Sequence, residues 1–286
     1  TEALSLSAST WAMATMLSGI IISGLDWLSI LDIGPYTLIF NERVILWIIT
    51  VIGSSAIYFA LKIDEVTPLN KAKKEIFSIR KSYDWNMIFK AISPLVLISI
   101  GAGLTIPFVN LFFNSVFGLS SSQYSLLGSF TALLVFIFSL LVPSLRKKYG
   151  YWMTIVVVQS LAILCLMLMA MMELYAEFSF AFTIAIIAYI LRQPLMHMAH
   201  PASNELMMNY VGKKNQELIS AISSSLWSAS WFFSAKLFEW LRLFNYRYYE
   251  IFLITAFLYI IGVIMFAYLI REYELKNKTL KKPILS

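Results

Sequence analysis

An all-α, polytopic membrane bundle of about eight transmembrane helices is the fold class this sequence predicts. Three observations predict it. First, 59% of the 286 residues are hydrophobic and 13% are charged, about half the roughly 25% charge of a water-soluble domain, and mean hydropathy is +0.76. Second, the apolar residues gather into runs near the roughly 20 residues that cross a hydrocarbon core. Third, the basic residues gather in every second connection between those runs. With 21 Phe and 15 Tyr as well, too few polar groups remain to cover a surface in water.

The runs fall, in order, at 9–30, 44–61, 92–117, 124–145, 152–172, 178–198, 220–241 and 248–270. A backbone in lipid must satisfy its own hydrogen bonds, as a helix or as a closed barrel. These runs are long and apolar on all sides, so helices are expected rather than short alternating strands. Gly34-Pro35 breaks the first connection. Gly118 with Ser120, Ser121 and Ser122 opens the turn before the fourth run, and Tyr149-Gly150 closes a short turn after it. Pro201 is expected at the end of the sixth span. Pro94, Pro107 and Pro143 fall within or near spans, where membrane helices tolerate proline.

Seventeen of the 22 basic residues lie on one side if the spans alternate. Seven occupy 62–90, three are Arg146, Lys147 and Lys148, two are Lys213 and Lys214, and five lie in the tail from Arg271. The other side holds Arg43, Lys236, Arg242 and Arg247, with Asp26 also near that face, and Arg192 lies inside a span. The positive-inside rule then puts both termini in the cytoplasm, of a plasma membrane or a bacterial inner membrane. The N-terminus TEALSLSAST lacks the features of a signal peptide and reads as a chain beginning mid-protein. The single Cys165 excludes a disulfide within the chain.

Residues 63–90 form the longest polar connection. Lys71, Lys73 and Lys74 would favour anionic headgroups by about 1 kcal/mol each near a membrane. Ile76, Phe77, Ile79, Tyr83 and Trp85 suit either an interfacial amphipathic helix or a solvated linker between bundles.

Several stretches resemble the major facilitator superfamily, and they occur in family order. GAGLTIPFVNLFFNSVFGLSSSQYSLLGS, at 101–129, resembles the start of that family's second half. VPSLRKKYGYW, at 142–152, resembles the second-half copy of its basic inner turn, without the acidic residue of the first-half motif. LRQPLMHMAHPASNELMM, at 191–208, resembles its tenth helix, and SGIIISGL, at 18–25, its fifth. The resemblance implies that the eight spans correspond to family helices five to twelve. On that alignment 1–62 is a two-helix remnant of the N-terminal bundle, 63–90 the cytoplasmic linker, 91–271 the six-helix C-terminal bundle and 272–286 a cytoplasmic tail. Four further helices, which together with these would make the family's twelve, are then the expected partner of this chain. The implied activity is secondary transport of a small solute by alternating access, with the site near the midplane. A non-transporting membrane scaffold or subunit that keeps the fold is the alternative.

Polar residues within the runs are the candidate functional groups. An ionisable group at a helix centre costs about 2.5–3.5 kcal/mol on insertion, so Arg192 needs a reason. It suits a donor to an anionic or polar substrate, or a snorkelling cation. Asn110 and Asn114 share a helix face at i, i+4 and are expected to bond substrate or a neighbouring helix. Trp227 and Trp231, again i, i+4, are expected to stack on substrate or to pack. His197, His200 and Glu205, with Arg146, are candidates for gating or a proton relay. Gln159, lone in its span, is expected to be structural. Lys236 and Glu239 are expected to form an interfacial pair.

The spacing H-E-x-x-H of a zinc protease is missing, and no metal or cofactor is expected. Ser-His-Asp arrangements and paired carboxylates are likewise missing, which argues against an enzyme. No carboxylate lies mid-span, so any proton or ion coupling would use His or Arg192, or else helices outside this sequence. A small solute and the lipid bilayer are the expected partners, nucleic acid is not, and the sequence leaves the solute unnamed.

Overall fold

The computed structural model describes residues 2–28, 30–33, 36–39, 42–62 and 83–280. Helical rods run antiparallel through this length. They are α1 (Glu2–Leu28), α2 (Glu42–Ser54) with α3 (Ala56–Leu61), α4 (Trp85–Thr105) with α5 (Val109–Phe117), α6 (Ser121–Tyr151), α7 (Val158–Met171), α8 (Ser179–Val211), α9 (Gln216–Leu243) and α10 (Tyr248–Leu280). The all-α membrane bundle expected from the sequence is the fold found. The first connection adds a two-stranded antiparallel hairpin, β1 (Ile30–Ile33) and β2 (Tyr36–Ile39), in register Ile30 to Ile39 and Ile33 to Tyr36.

Among the described residues, five continuous stretches are long and apolar enough to cross a membrane. One of them, Ser121–Met171, contains two rods. Gly150 divides them at φ 75° and ψ −172°, a conformation that glycine alone adopts without strain. A π-helical turn, Trp152–Val157, follows and starts the return. The rod α9 is long enough but carries serines at 220, 223, 224, 225, 228, 230 and 234, which dilute its hydropathy. Leu46–Tyr58 is apolar but shorter.

Local chemistry sets several rod ends beyond the expected boundaries. Asp84 accepts the Met87 amide at 3.3 Å and starts α4 at Trp85, ahead of the apolar run. Ser120 and Gln123 form a reciprocal capping box that starts α6, with bonds of 3.2 and 3.0 Å. The rod α8 continues through Pro194 and Pro201 to Val211, so Pro201 is internal rather than terminal. Each proline removes a bond to the carbonyl four residues back, at Ile190 and His197. The rod α10 carries on to Leu280, into what the sequence suggested was a tail. Of the 63–90 segment, 63–82, including Lys71, Lys73, Lys74, Ile76, Phe77 and Ile79, lies outside the described residues.

Two layers form the bundle. The rods α4, α9 and α10 pack together, and so do α6, α7 and α8; α10 joins the layers along α7. Hydrogen bonds between small polar side chains link the first layer. Ser99 meets Ser230 at 2.9 Å, Thr105 donates to Thr255 at 2.9 Å, and Ser234 donates to the Ile100 carbonyl at 2.9 Å. Such bonds average about 0.6 kcal/mol each in membranes. Close approach matters more: a Cβ on Gly101 would stand 2.8 Å from the Tyr259 ring. The rod α1 lies along α6, presenting the buried Ser5, Ser9 and Ala12. Their spacing makes one small-residue face.

The two ends of the bundle carry different contacts. At one, here the basic end, Lys147 meets Glu2 at 3.1 Å, Lys90 meets Glu272 at 3.5 Å and Arg146 meets Glu205 at 3.3 Å. At the opposite end, Lys236 pairs with Glu239 at 2.7 Å, and Glu173 accepts the Tyr249 amide at 2.5 Å, capping α10. Burial pushes the Glu173 carboxyl above its ordinary range, against the pull of the Tyr249 and Tyr248 amides and of Arg242 and Arg247.

Candidate functional site

A cavity of about 730 Å³ lies between the two layers and is closed on one side by the first half of α1. The rod α8 supplies the largest share of its wall. Tyr189, Gln193, Met196, His200 and Ser203 follow one another at i, i+3 and i+4 and so make one stripe. Arg192 and His197 border that stripe and also line the cavity. The opposing wall comes from α4, α9 and α10, with Trp227, Trp231 and Tyr259 among its side chains.

Arg192 is the central group. Its side chain is 1% exposed, and its three guanidinium nitrogens make no hydrogen bond of good geometry. The Tyr259 hydroxyl lies beside the guanidinium and interacts with it. No carboxylate lines the cavity among the described residues. A buried cation is normally paired or neutralised, because its desolvation costs several kcal/mol. Here the guanidinium is enclosed at the cavity wall.

Aromatic rings order the space around it. Tyr124 and Tyr189 place their hydroxyls 3.0 Å apart, and Gln193 donates to Tyr189 at 3.1 Å. Phe113 packs edge-on to Tyr189 at 5.5 Å, completing an aromatic cap on the α5 side. One to two turns along α8 from Arg192, toward the basic end, His197 lies 5.1 Å from the Trp11 ring and His200 lies 5.7 Å from Trp227. Trp227 and Trp231 are 6.3 Å apart, and the Trp231 indole N–H is buried without an acceptor. Asn204 Nδ2 stands 3.2 Å from His200 Nδ1.

Five of the residues singled out in the sequence thus meet at one cavity: Arg192, Trp227, Trp231, His197 and His200. Asn110 and Asn114 do not. Both are exposed and bond locally, Asn110 to the Leu111 amide at 2.8 Å and Asn114 to the Leu119 carbonyl at 2.9 Å. The 3₁₀ turn at Ile106–Phe108, made at Pro107, resets the helical register, so the shared face of the two asparagines points away from the cavity. Gln159, read as structural, lines the cavity with an unpartnered terminal oxygen. Trp11, Tyr124, Tyr189, Gln193 and Tyr259 were not singled out. Gln193 sits next to Arg192, and that adjacency was a usable signal.

Glu205 and Arg146 lie apart from the cavity, in a network at the basic end. Tyr151 donates to Glu205 at 3.0 Å and accepts from Asn209 at 3.0 Å, and the Arg146 guanidinium stacks over the Tyr151 ring at 3.5 Å. The side chains of Arg146 and Glu205 are 25% and 19% exposed. This network ties the end of α6 and the π-helical turn to α8. The His197, His200 and Glu205 trio does not converge, and no cluster of three metal-ligating side chains occurs among the described residues.

The Major Facilitator Superfamily model matches residues 1–235, well over half of the chain. The chain belongs to the major facilitator superfamily. Members of this superfamily are transporters, so this is an integral membrane protein of a transporter family. No curated protein and no solved structure matches it. In this superfamily member the cavity is bordered by α1 on one side and by α4, α6, α7, α8, α9 and α10 on the other, and Arg192 is in its wall.

Proposed function

We propose that this chain carries a small solute across the membrane by alternating access, and that the solute occupies the Arg192 cavity. The observation that carries the reading is a buried guanidinium in the wall of a space of ligand size, with no carboxylate in the described lining to pair it. A scaffold has no use for an unmet buried charge, whereas a carrier meets it transiently with its solute. Both termini face the cytoplasm, because the connections at the basic end hold most of the cations. The movement turns α1 and the helices expected with it against α4–α10. The exposed Lys147–Glu2 pair that links α1 to α6 is weak enough to break in each cycle. His197 and His200 stand on the route between Arg192 and the basic end, where a coupled proton would pass. Four more helices complete the carrier.

Accessibility tests this without knowing the solute. In a Cys165→Ser background, Thr131→Cys and Trp227→Cys place single thiols on the cavity wall. A membrane-impermeant maleimide added to sealed vesicles is expected to reach both thiols from either face. Labelling from one face alone, under every condition, would refute alternating access and favour the scaffold.

A further inference from the structure

We infer that the solute is an organic monoanion with a flat apolar body, its anionic group held by Arg192. This rests on the transport reading for its biological meaning, but the site itself is argued from the cavity. Charge comes first. Arg192 brings one positive charge, and no carboxylate among the described residues lines the space to offset it. A neutral solute leaves that charge uncompensated in a medium that penalises it, a cation adds to it, and a dianion replaces it with an excess of the opposite sign. One negative charge on the solute offsets the one positive charge that this wall presents.

Hydrogen-bond demand points the same way. The buried atoms of the wall that make no hydrogen bond of good geometry are chiefly donors: three guanidinium nitrogens with the Tyr259 hydroxyl beside them, the Ser203 hydroxyl and the Trp231 indole N–H. An ionised carboxylate is acceptor-only and offers about four lone-pair sites, and a guanidinium engages it through paired bonds. The unpartnered Gln159 oxygen belongs to an amide end that can present either its oxygen or its nitrogen.

The rest of the wall describes the body. Two groups of rings line it, Trp11 with His197 and Trp227 with His200 and Trp231. Rings stack on flat apolar groups and give little to a polyhydroxylated one. A volume of about 730 Å³ suits a body of one or two fused rings with room for water.

The test pairs acids with their own amides. Full-length protein in nanodiscs is titrated with 2-naphthoate and indole-3-acetate, each against its neutral amide, and with naphthalene-2,6-dicarboxylate. Binding is read by tryptophan quenching and by thermal shift. The expected result is saturable binding of both acids, at least tenfold tighter than the amides and tighter than the dianion. Arg192→Met is expected to abolish the difference between acid and amide, while raising the unfolding temperature of the ligand-free protein, because an unmet charge has been removed. Arg192→Lys is expected to keep part of the acid preference. Equal binding of acid and amide, an acid preference that survives in Arg192→Met, or no binding by either acid overturns the inference. Flux separates the two readings. Acid binding without counterflow in proteoliposomes sustains the site and refutes transport. Counterflow of a neutral solute that is unaffected by Arg192→Met leaves transport standing and refutes the monoanion.

Discussion

Two of the arginines in this bundle, Arg146 and Arg192, have opposite surroundings. Arg146, at the basic end, has a carboxylate at 3.3 Å and a tyrosine ring under its guanidinium, and its partner Glu205 is held in turn by Tyr151. Arg192, mid-bundle and more deeply buried, has the Tyr259 hydroxyl beside it and no carboxylate in the described cavity lining. The first charge is paired through Nη2, with Nε left without a partner, and acts on packing. The second has no counter-charge in that lining. Burial alone does not distinguish the two cations; the presence of a counter-charge does.

The comparison breaks most readily at Arg146. Arg146→Met strips Glu205 of its cation and is expected to destabilise the protein by about 2–3 kcal/mol, the scale of a lost hydrogen bond to a charged group. Arg192→Met, removing the more buried charge, is expected to leave the ligand-free protein at least as stable as before. Thermal unfolding of the two variants side by side measures the contrast; equal losses would erase it. Next in size is Gly150→Ala. The joint that brings Tyr151 to Glu205 needs φ 75° and ψ −172°, so a Cβ there costs about 1–3 kcal/mol. The loss should shrink when Tyr151→Phe is already present, since the network served by the joint is then incomplete, and a double-mutant cycle reads that coupling.

A smaller effect is expected at the opposite end. The Glu173 carboxyl is raised by burial, so the folded protein holds its proton more tightly than the unfolded chain does. Its contribution to stability is full below the unfolded value, near 4.3, and is lost as pH rises through the folded value. Glu173→Gln should flatten that part of the stability–pH curve; an unchanged slope would show that another group sets it. Smallest of all, Asn110→Ala is expected to leave ligand binding unaltered, because the side chain lies outside the cavity. A binding loss there would mean the cavity wall includes α5.

Hydropathy made the rods legible. The run at 124–145 lies within α6, and the run at 178–198 begins one residue before α8 and lies otherwise within it. Rod ends were less legible, because caps such as Asp84 and prolines such as Pro201 act through local geometry that hydropathy does not record. In the site, Arg192, His197 and His200 stood out because ionisable groups are rare in apolar runs. Trp227 and Trp231 stood out by spacing. Tyr124, Tyr189 and Tyr259 did not, since a tyrosine in a span reads equally as an interface anchor, a packing group or a cavity wall. Asn110 and Asn114 show the limit of spacing: i, i+4 fixes a common face but not the direction that face points, and the 3₁₀ turn beside them turned it outward.

Arg192 has a further consequence at synthesis, before any solute is met. Over its most apolar 18 residues α8 has a mean hydropathy of 1.4, against 2.4 for the stretch of α6 and α7 and 2.5 for α10. A mid-helix arginine adds about 2.5–3.5 kcal/mol to the work of leaving the translocon. This segment is therefore expected to partition as a hairpin with α7, its neighbour in chain and in space, instead of alone. A charge so placed makes the order of assembly part of the design: α8 depends on its companions to enter the bilayer.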